Sequence, residues 1–182
     1  MRVITGSARG RRLKTLSGDE VRPTSDLVKE AVFSIIQFSV EGRKFLDLFA
    51  GSGQMAIEAL SRGASSAVLV DASKQSCAVI RDNLKTTGFD QIAQLVQSDA
   101  AGYIARCREN FDIAYIDPPY ESGLIKKVLP GVCEHMNMGG TVLCESNDTA
   151  NFPESAGDFV LCKTYRYGRI FVALYRHGEM DA

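Results

Sequence analysis

Long hydrophobic runs are missing from this sequence: no segment approaches the roughly 18 consecutive apolar residues that cross a bilayer. The N-terminus is basic, yet no apolar core of a secretion signal follows it, so the sequence reads as that of a cytoplasmic protein. Histidine occurs only twice, and none of the five cysteines (Cys77, Cys107, Cys133, Cys144 and Cys162) forms a C-x-x-C pair. Spaced 30, 26, 11 and 18 residues apart, they offer no zinc-ligand pattern, and no metal is expected. Their odd number and their place within apolar runs fit a reducing compartment, where cysteine serves as a small core residue. No low-complexity tract and no repeat of roughly 20–50 residues interrupts the chain. What is present is ordinary for a globular protein: 182 residues, 45% hydrophobic and 24% charged, enough for one domain with a full core.

The net charge of −1 conceals an asymmetry. Residues 1–14 hold Arg2, Arg9, Arg11, Arg12 and Lys14 with no acid, a local charge of +5, whereas the rest carries 16 basic and 22 acidic side chains. A basic arm on an acidic body suits a polyanion met at one edge; it equally suits a solvated, charge-rich strand pair.

"MRVITGSARGRRLKTL" predicts a hairpin of two short strands around a Ser-Ala-Arg-Gly turn. In "VRPTSDLVKEAVFSIIQF", Pro23 ends the extended stretch, Thr24 or Ser25 can cap, and Leu27, Val28, Ala31, Val32, Ile35 and Ile36 recur at helical spacing. From residue 44 strands and helices alternate: "KFLDLF", "SAVLVD", "AQLVQSD", "FDIAYID" and "GGTVLCES" read as five strands, separated by amphipathic helices. The helix around "LIKKVLPGVCEHM" contains Pro130, which would ordinarily break it. "DFVLCKTYRYGRIFVALYR" reads as a final hairpin, with Tyr165, Arg166 and Tyr167 taken as turn residues rather than a stacking site. The result is an open, mostly parallel α/β sheet with helices on both faces and one antiparallel C-terminal strand. Ligands of such sheets bind at the carboxyl ends of the strands, which gathers residues 47–53, 71, 99 and 117–120 into one cluster.

Two patterns in that cluster carry chemistry. In "LDLFAGSGQMAIEA", Gly51 and Gly53 lie where the first strand turns into its helix, so that backbone can approach a ligand. Gly51 to Ala56 also fits the dinucleotide pattern G-x-G-x-x-G/A, with Asp71 18 residues after Gly53, so a nicotinamide- or flavin-dependent oxidoreductase is a rival. Asp47 opposes that rival, because a carboxylate four residues before Gly51 would repel a pyrophosphate. It suits a cationic ligand end such as the ammonium of S-adenosylmethionine. Asp71 could then accept from two ribose hydroxyls and Asp99 from an adenine amino group. The plainer reading of all three aspartates is helix N-caps.

The second pattern is "YIDPPYESG", an apolar strand that ends in an acid, two prolines and an aromatic residue. "DLFAGSG" followed by "DPPY" resembles the motif pair of S-adenosylmethionine-dependent methyltransferases that act on amino groups of nucleic acids. With "RVITGSARGRRL", "RPTSDLVKEAVFSII" and "IEALSRGA" added, the whole chain resembles the RsmD family, bacterial methyltransferases of guanine N2 in small-subunit (16S) ribosomal RNA. One departure is Ala56, where the family usually has the third glycine of G-S-G-x-x-G.

The resemblance implies a Rossmann-like class I methyltransferase fold with a seven-stranded sheet over residues 23–182, preceded by a basic β-hairpin extension over residues 1–22. It implies S-adenosylmethionine as cofactor, bound by Asp47, Ala50, Gly51, Ser52, Gly53, Asp71, Ala72, Asp99 and Ala100. Asp117, Pro118, Pro119 and Tyr120 would be catalytic: the Asp117 carboxylate and Pro118 carbonyl accept from the target amine, and Tyr120 stacks on the base. Arg9, Arg11, Arg12, Lys14, Arg22 and Thr24 would meet the RNA, although Arg22 and Thr24 could instead close over the cofactor. The partner would be ribosomal RNA or an assembling small subunit, and a monomer is expected. "DPPY" asks for an amine on a flat ring without naming the base, so DNA adenine N6 or another RNA amine stays open, as does a non-catalytic RNA-binding module.

Overall fold

Every apolar run that alternates with a helical pattern becomes a strand. The computed structural model describes residues 1–16, 26–119 and 123–180. Strands β1 (Lys44–Asp47), β2 (Ser66–Asp71), β3 (Ala93–Gln97), β4 (Phe111–Ile116) and β5 (Met136–Ser146) pair in parallel. Three further strands, β6 (Ser155–Ala156), β7 (Phe159–Tyr167) and β8 (Ile170–His177), complete an eight-stranded sheet of order β3-β2-β1-β4-β5-β8-β7-β6. The eighth strand, absent from the expected seven, is the two-residue β6 at the edge. Strand β8 lies antiparallel to both β5 and β7, so β7 again runs with the parallel set.

Helices α1 (Asp26–Ile35), α2 (Gln54–Ser61) and α3 (Lys74–Thr87) cover one face, burying Val32, Ile57 and Ile80 against Phe45, Leu69 and Tyr115. Helices α4 (Ala100–Arg106) and α5 (Leu124–Glu134) cover the other, where Ile104 and Leu129 meet Leu46, Val70 and Ile116. Local chemistry explains the boundaries: Ser73 accepts from the Ser76 N–H at 3.2 Å to start α3, and left-handed Gly88 (φ 79°) ends it. Helix α5 runs through Pro130, whose exposed position puts the lost hydrogen bond beside solvent-facing Lys126, where water can replace it. Leu27 departs from the expected apolar face of α1, being 65% exposed, and the expected caps Thr24 and Ser25 lie outside the described residues. Of the cysteines, Cys77, Cys133 and Cys144 are buried, while Cys107 is half-buried and Cys162 is exposed on β7.

The N-terminal segment doubles back, but not as two strands: a single antiparallel bridge joins Arg2 and Arg12. Three backbone bonds cross it, Val3 N–H to Arg11 O (3.0 Å), Gly10 N–H to Val3 O (2.9 Å) and Leu13 N–H to Met1 O (3.1 Å). The ladder stops there because neighbouring donors are taken by α2. Val3, Ala8 and Leu13 are buried in the same core as α1 and α2. The expected boundary at residue 22 falls outside the described residues.

The chain winds β1-β2-β3 to one side of β1 and then crosses to β4 and β5 on the other. The carboxyl ends of β1 and β4 therefore border the crevice at which open α/β sheets take their ligands.

Candidate active site

At the end of β1 the backbone makes a tight turn into α2. Gly51 (φ 55°) and Gly53 (φ 79°) are both left-handed. At Gly53 a Cβ would also come within 3.0 Å of Leu69 and 3.3 Å of Ile80, so packing as well as conformation demands glycine. At Gly51 a Cβ would meet nothing within 4 Å, so the backbone there borders open space. Ala50 and Ser52 are buried, and Ala56 is fully buried beneath the turn, where the expected third glycine would lie.

The three strand-end aspartates are used differently. Asp47, 2% exposed, accepts the Ala56 N–H at 3.3 Å, and burial, with a smaller push from Asp71, raises its pKa to about 7. Asp71 reaches across from β2: one oxygen accepts the Gly51 N–H and the other the Ser73 N–H, both at 2.8 Å. It is half-buried, and Ala72 after it is exposed. Asp99 is exposed and caps α4 by accepting the Gly102 N–H at 2.8 Å, with Ala100 buried behind it.

Strand β4 lies beside β1, with Asp47 opposite Tyr115, which places Asp117 just past the edge next to the glycine turn. Asp117 is half-buried, Pro118 buried and Pro119 exposed; Tyr120 lies outside the described residues. Beneath them is a feature that sequence reasoning missed. The buried Tyr115 hydroxyl donates a short hydrogen bond to the equally buried Glu145 of β5. Burial, then Glu145, Asp117 and Asp47, push the Tyr115 pKa well above the ordinary phenol value, so it remains a donor. The available signal was an acid closing an apolar strand in "VLCES".

The arm residues Arg9, Arg11, Arg12 and Lys14 are exposed; Arg22 and Thr24 are outside the described residues. Lys14 pairs with Asp82 at 2.6 Å. What holds the arm is a buried polar stripe on α2, Gln54, Glu58 and Ser61. Glu58 accepts the Ile4 and Thr5 N–H groups (2.8 and 3.0 Å) and Arg62 Nε (2.9 Å). Ser61 accepts the Ala8 N–H at 2.9 Å and donates to Thr5 O at 2.6 Å. Fully buried Lys29 donates to Arg2 O (2.8 Å) and to Gln54 Oε1 (3.3 Å). Burial lowers its pKa, against the pull of Glu58 and Asp26. Asn83 of α3 exchanges two bonds with the Lys14 backbone (2.8 and 3.0 Å) and donates to Ser52 O at 2.9 Å. The arm is thus fastened to the glycine turn through Asn83.

Cavities of about 250 and 450 Å³ open between the arm and α1, lined by Arg2 and Asp26 in both, with Arg9 and Glu30 in the first and Arg12 in the second. Among the described residues no His/Cys/Asp/Glu group could hold a metal ion, and no helix is long and apolar enough to cross a membrane.

The sheet order, the glycine turn at β1 and the Asp-Pro-Pro end of β4 define a class I methyltransferase, a Rossmann-like fold of the S-adenosylmethionine-dependent type. The family model described as "Conserved hypothetical protein 95" matches residues 1–176, and the chain belongs to that family, the RsmD family. It is 39% identical over 181 residues to the Bacillus subtilis (strain 168) protein named "Putative rRNA methyltransferase YlbH", covering 97% of this chain and 98% of that one. It is 29% identical over 187 residues to ribosomal RNA small subunit methyltransferase D of Escherichia coli (strain K12), covering 100% and 94%. A solved structure described as "Putative methyltransferase yhhF from Escherichia coli" superposes with a TM-score of 0.87 at 28% identity, covering 97% of each chain.

Proposed function

We propose that this protein transfers a methyl group from S-adenosylmethionine to the exocyclic N2 of a guanine in small-subunit (16S) ribosomal RNA, in the cytoplasm. The observation that carries the reading is the juxtaposition at the crevice: β1 and β4 are neighbours with Asp47 opposite Tyr115, so the glycine turn and Asp117 share one edge.

The chain's own groups fit such a cofactor. Gly51 leaves open space where a side chain would stand. Each Asp71 oxygen accepts one backbone N–H, which leaves each a second lone pair for a vicinal diol. Asp47 has one oxygen on Ala56, and its other oxygen is the acceptor for an ammonium group. The cofactor supplies a sulfonium methyl for in-line displacement.

The remaining work is alignment. An exocyclic amine is a poor nucleophile because its lone pair is delocalised into the ring. Asp117 and the Pro118 carbonyl accept from its two hydrogens, draw the lone pair out of conjugation and stabilise charge developing on nitrogen. Two successive prolines fix that carbonyl, and the Tyr115–Glu145 pair anchors the strand beneath it. Asp117 is half-buried, so the released proton has a path to water.

The test is transfer of labelled methyl to ribosomal RNA, small subunits and DNA in parallel, followed by nucleoside analysis. N2-methylguanosine in small-subunit RNA is expected. N6-methyladenine in DNA would overturn the base assignment. Stabilisation by NADH in place of S-adenosylhomocysteine would overturn the methyltransferase reading.

A further inference from the structure

Residues 159–178 contain Lys163, Arg166, Arg169 and Arg176 and no acid, a second one-signed segment at the far end of the chain. Its strand β7 ends on the same side of the sheet as Asp117, since β7 runs parallel to β4 and β5. Tyr165 pairs with Val172 and Val172 with Glu145, so Tyr165 lies in the row of the carboxylate that holds Tyr115. Tyr167 is one pleat further toward the edge on the same face. From β4 to β7 are three strand spacings, about 14 Å, which a few nucleotides of single strand would span.

The surface there suits nucleobases. The half-buried Tyr165 and Tyr167 rings are nearly parallel, with centroids 6.5 Å apart and planes 9° off, and their inner edges rest on the core. Lys163 Nζ sits 4.8 Å from the Tyr165 centroid. On the opposite face Arg166 lies over Phe171 at 5.6 Å and donates to Gly168 O at 3.1 Å, and Arg169 is exposed in the turn. None of Lys163, Arg166 and Arg169 forms an ion pair with a described residue, in contrast to Lys14 and Asp82. Rigid aromatic faces flanked by uncompensated cations are what single-stranded RNA binds: bases stack on the rings and phosphates meet the cations.

We propose that the end of β7 and the β7–β8 turn form a second RNA contact, in which Tyr165 and Tyr167 stack nucleotides flanking the target base and Lys163, Arg166 and Arg169 hold their phosphates. This rests on the RNA methyltransferase reading above, and it reassigns residues that sequence pattern alone gives to a plain turn.

The test uses the full chain and a small-subunit RNA containing 4-thiouridine. Lys163→Gln/Arg166→Gln/Arg169→Gln alters only exposed side chains that form no ion pair with a described residue. It should raise KM for RNA about tenfold, reduce the slope of log Kd against log salt by about 2, and leave S-adenosylhomocysteine binding and kcat unchanged. Tyr167→Phe should retain RNA binding while Tyr167→Ala loses about tenfold, and photocrosslinks should map to residues 164–169. Unchanged KM and salt slope in the triple variant, with no crosslink in that segment, would overturn the proposal. So would a defect seen only with protein-containing subunits and not with naked RNA, which would make the surface a protein contact. Binding and crosslinking are read without turnover, so absent methyl transfer in the wild type would count against the enzymatic reading and not against this surface.

Discussion

The two halves of the crevice are built by opposite means. On the side of β1 to β3, the carboxylates of Asp47, Asp71 and Asp99 all accept backbone N–H groups at turns and helix starts. On the side of β4 and β5, the buried acid Glu145 is engaged by a side-chain hydroxyl, and backbone rigidity comes from two prolines. In the proposed function the first half would mould main chain around the cofactor, and the second would brace one short edge for the target base. Damage to the first should therefore appear in cofactor affinity, and damage to the second in turnover.

The sharpest separation comes from Asp117→Ala. It should lower kcat about 10³-fold while S-adenosylhomocysteine affinity, measured calorimetrically, stays within about twofold. A large loss of cofactor affinity would merge the halves. Next is Asp47, whose raised pKa has a defined sign. The unfolded chain ionises this group near 3.8 and the folded chain only at about 7. Its contribution to stability is therefore full below about pH 4, falls as pH rises to about 7 and is flat beyond. Asp47→Asn should remove that fall, raising stability of the free protein at pH 8 by roughly 4 kcal/mol with little change at pH 4. Binding of an ammonium-bearing cofactor to wild type near pH 6 should release a proton, seen as a buffer-dependent binding enthalpy. Asp71→Ala removes the acceptor from Gly51 and Ser73 and should weaken cofactor binding about 10²-fold, with a smaller effect on turnover at saturation. Last, replacing Arg9, Arg11 and Arg12 together by glutamine should weaken RNA binding about tenfold in low salt, flatten its salt dependence and leave both halves of the crevice intact.

The parts legible in the sequence are those with local causes. Alternating apolar runs marked the parallel strands, and paired glycines marked the turn. Strand β6 escaped notice because two residues carry no period. The arm was read as a ladder because its partners are more than 50 residues away: Ile4 and Thr5 bond to Glu58, and Ala8 to Ser61. Glu58 is the one charged residue within "MAIEALS", yet all eight residues of α2 are buried. Gln54, Glu58 and Ser61 recur at helical spacing, a polar stripe that could have signalled a covered face. Asn83 follows Ile80 by three residues and precedes Leu84, so it lies on the apolar face of α3, the trace of a buried amide.

Glu58, Ser61, Lys29 and Asn83 grip the arm by its peptide groups and not by its side chains. The identities of residues 4 and 5 are therefore unread by the clamp, and substitutions other than proline there or at the outward arginines leave its hydrogen bonds in place, whereas Lys14 adds a side-chain ion pair to Asp82. On the proposed function, such a fastening would let the outer surface drift toward a different polyanion while the glycine turn beneath stays fixed, so that change of target and preservation of chemistry would fall to separate sets of atoms.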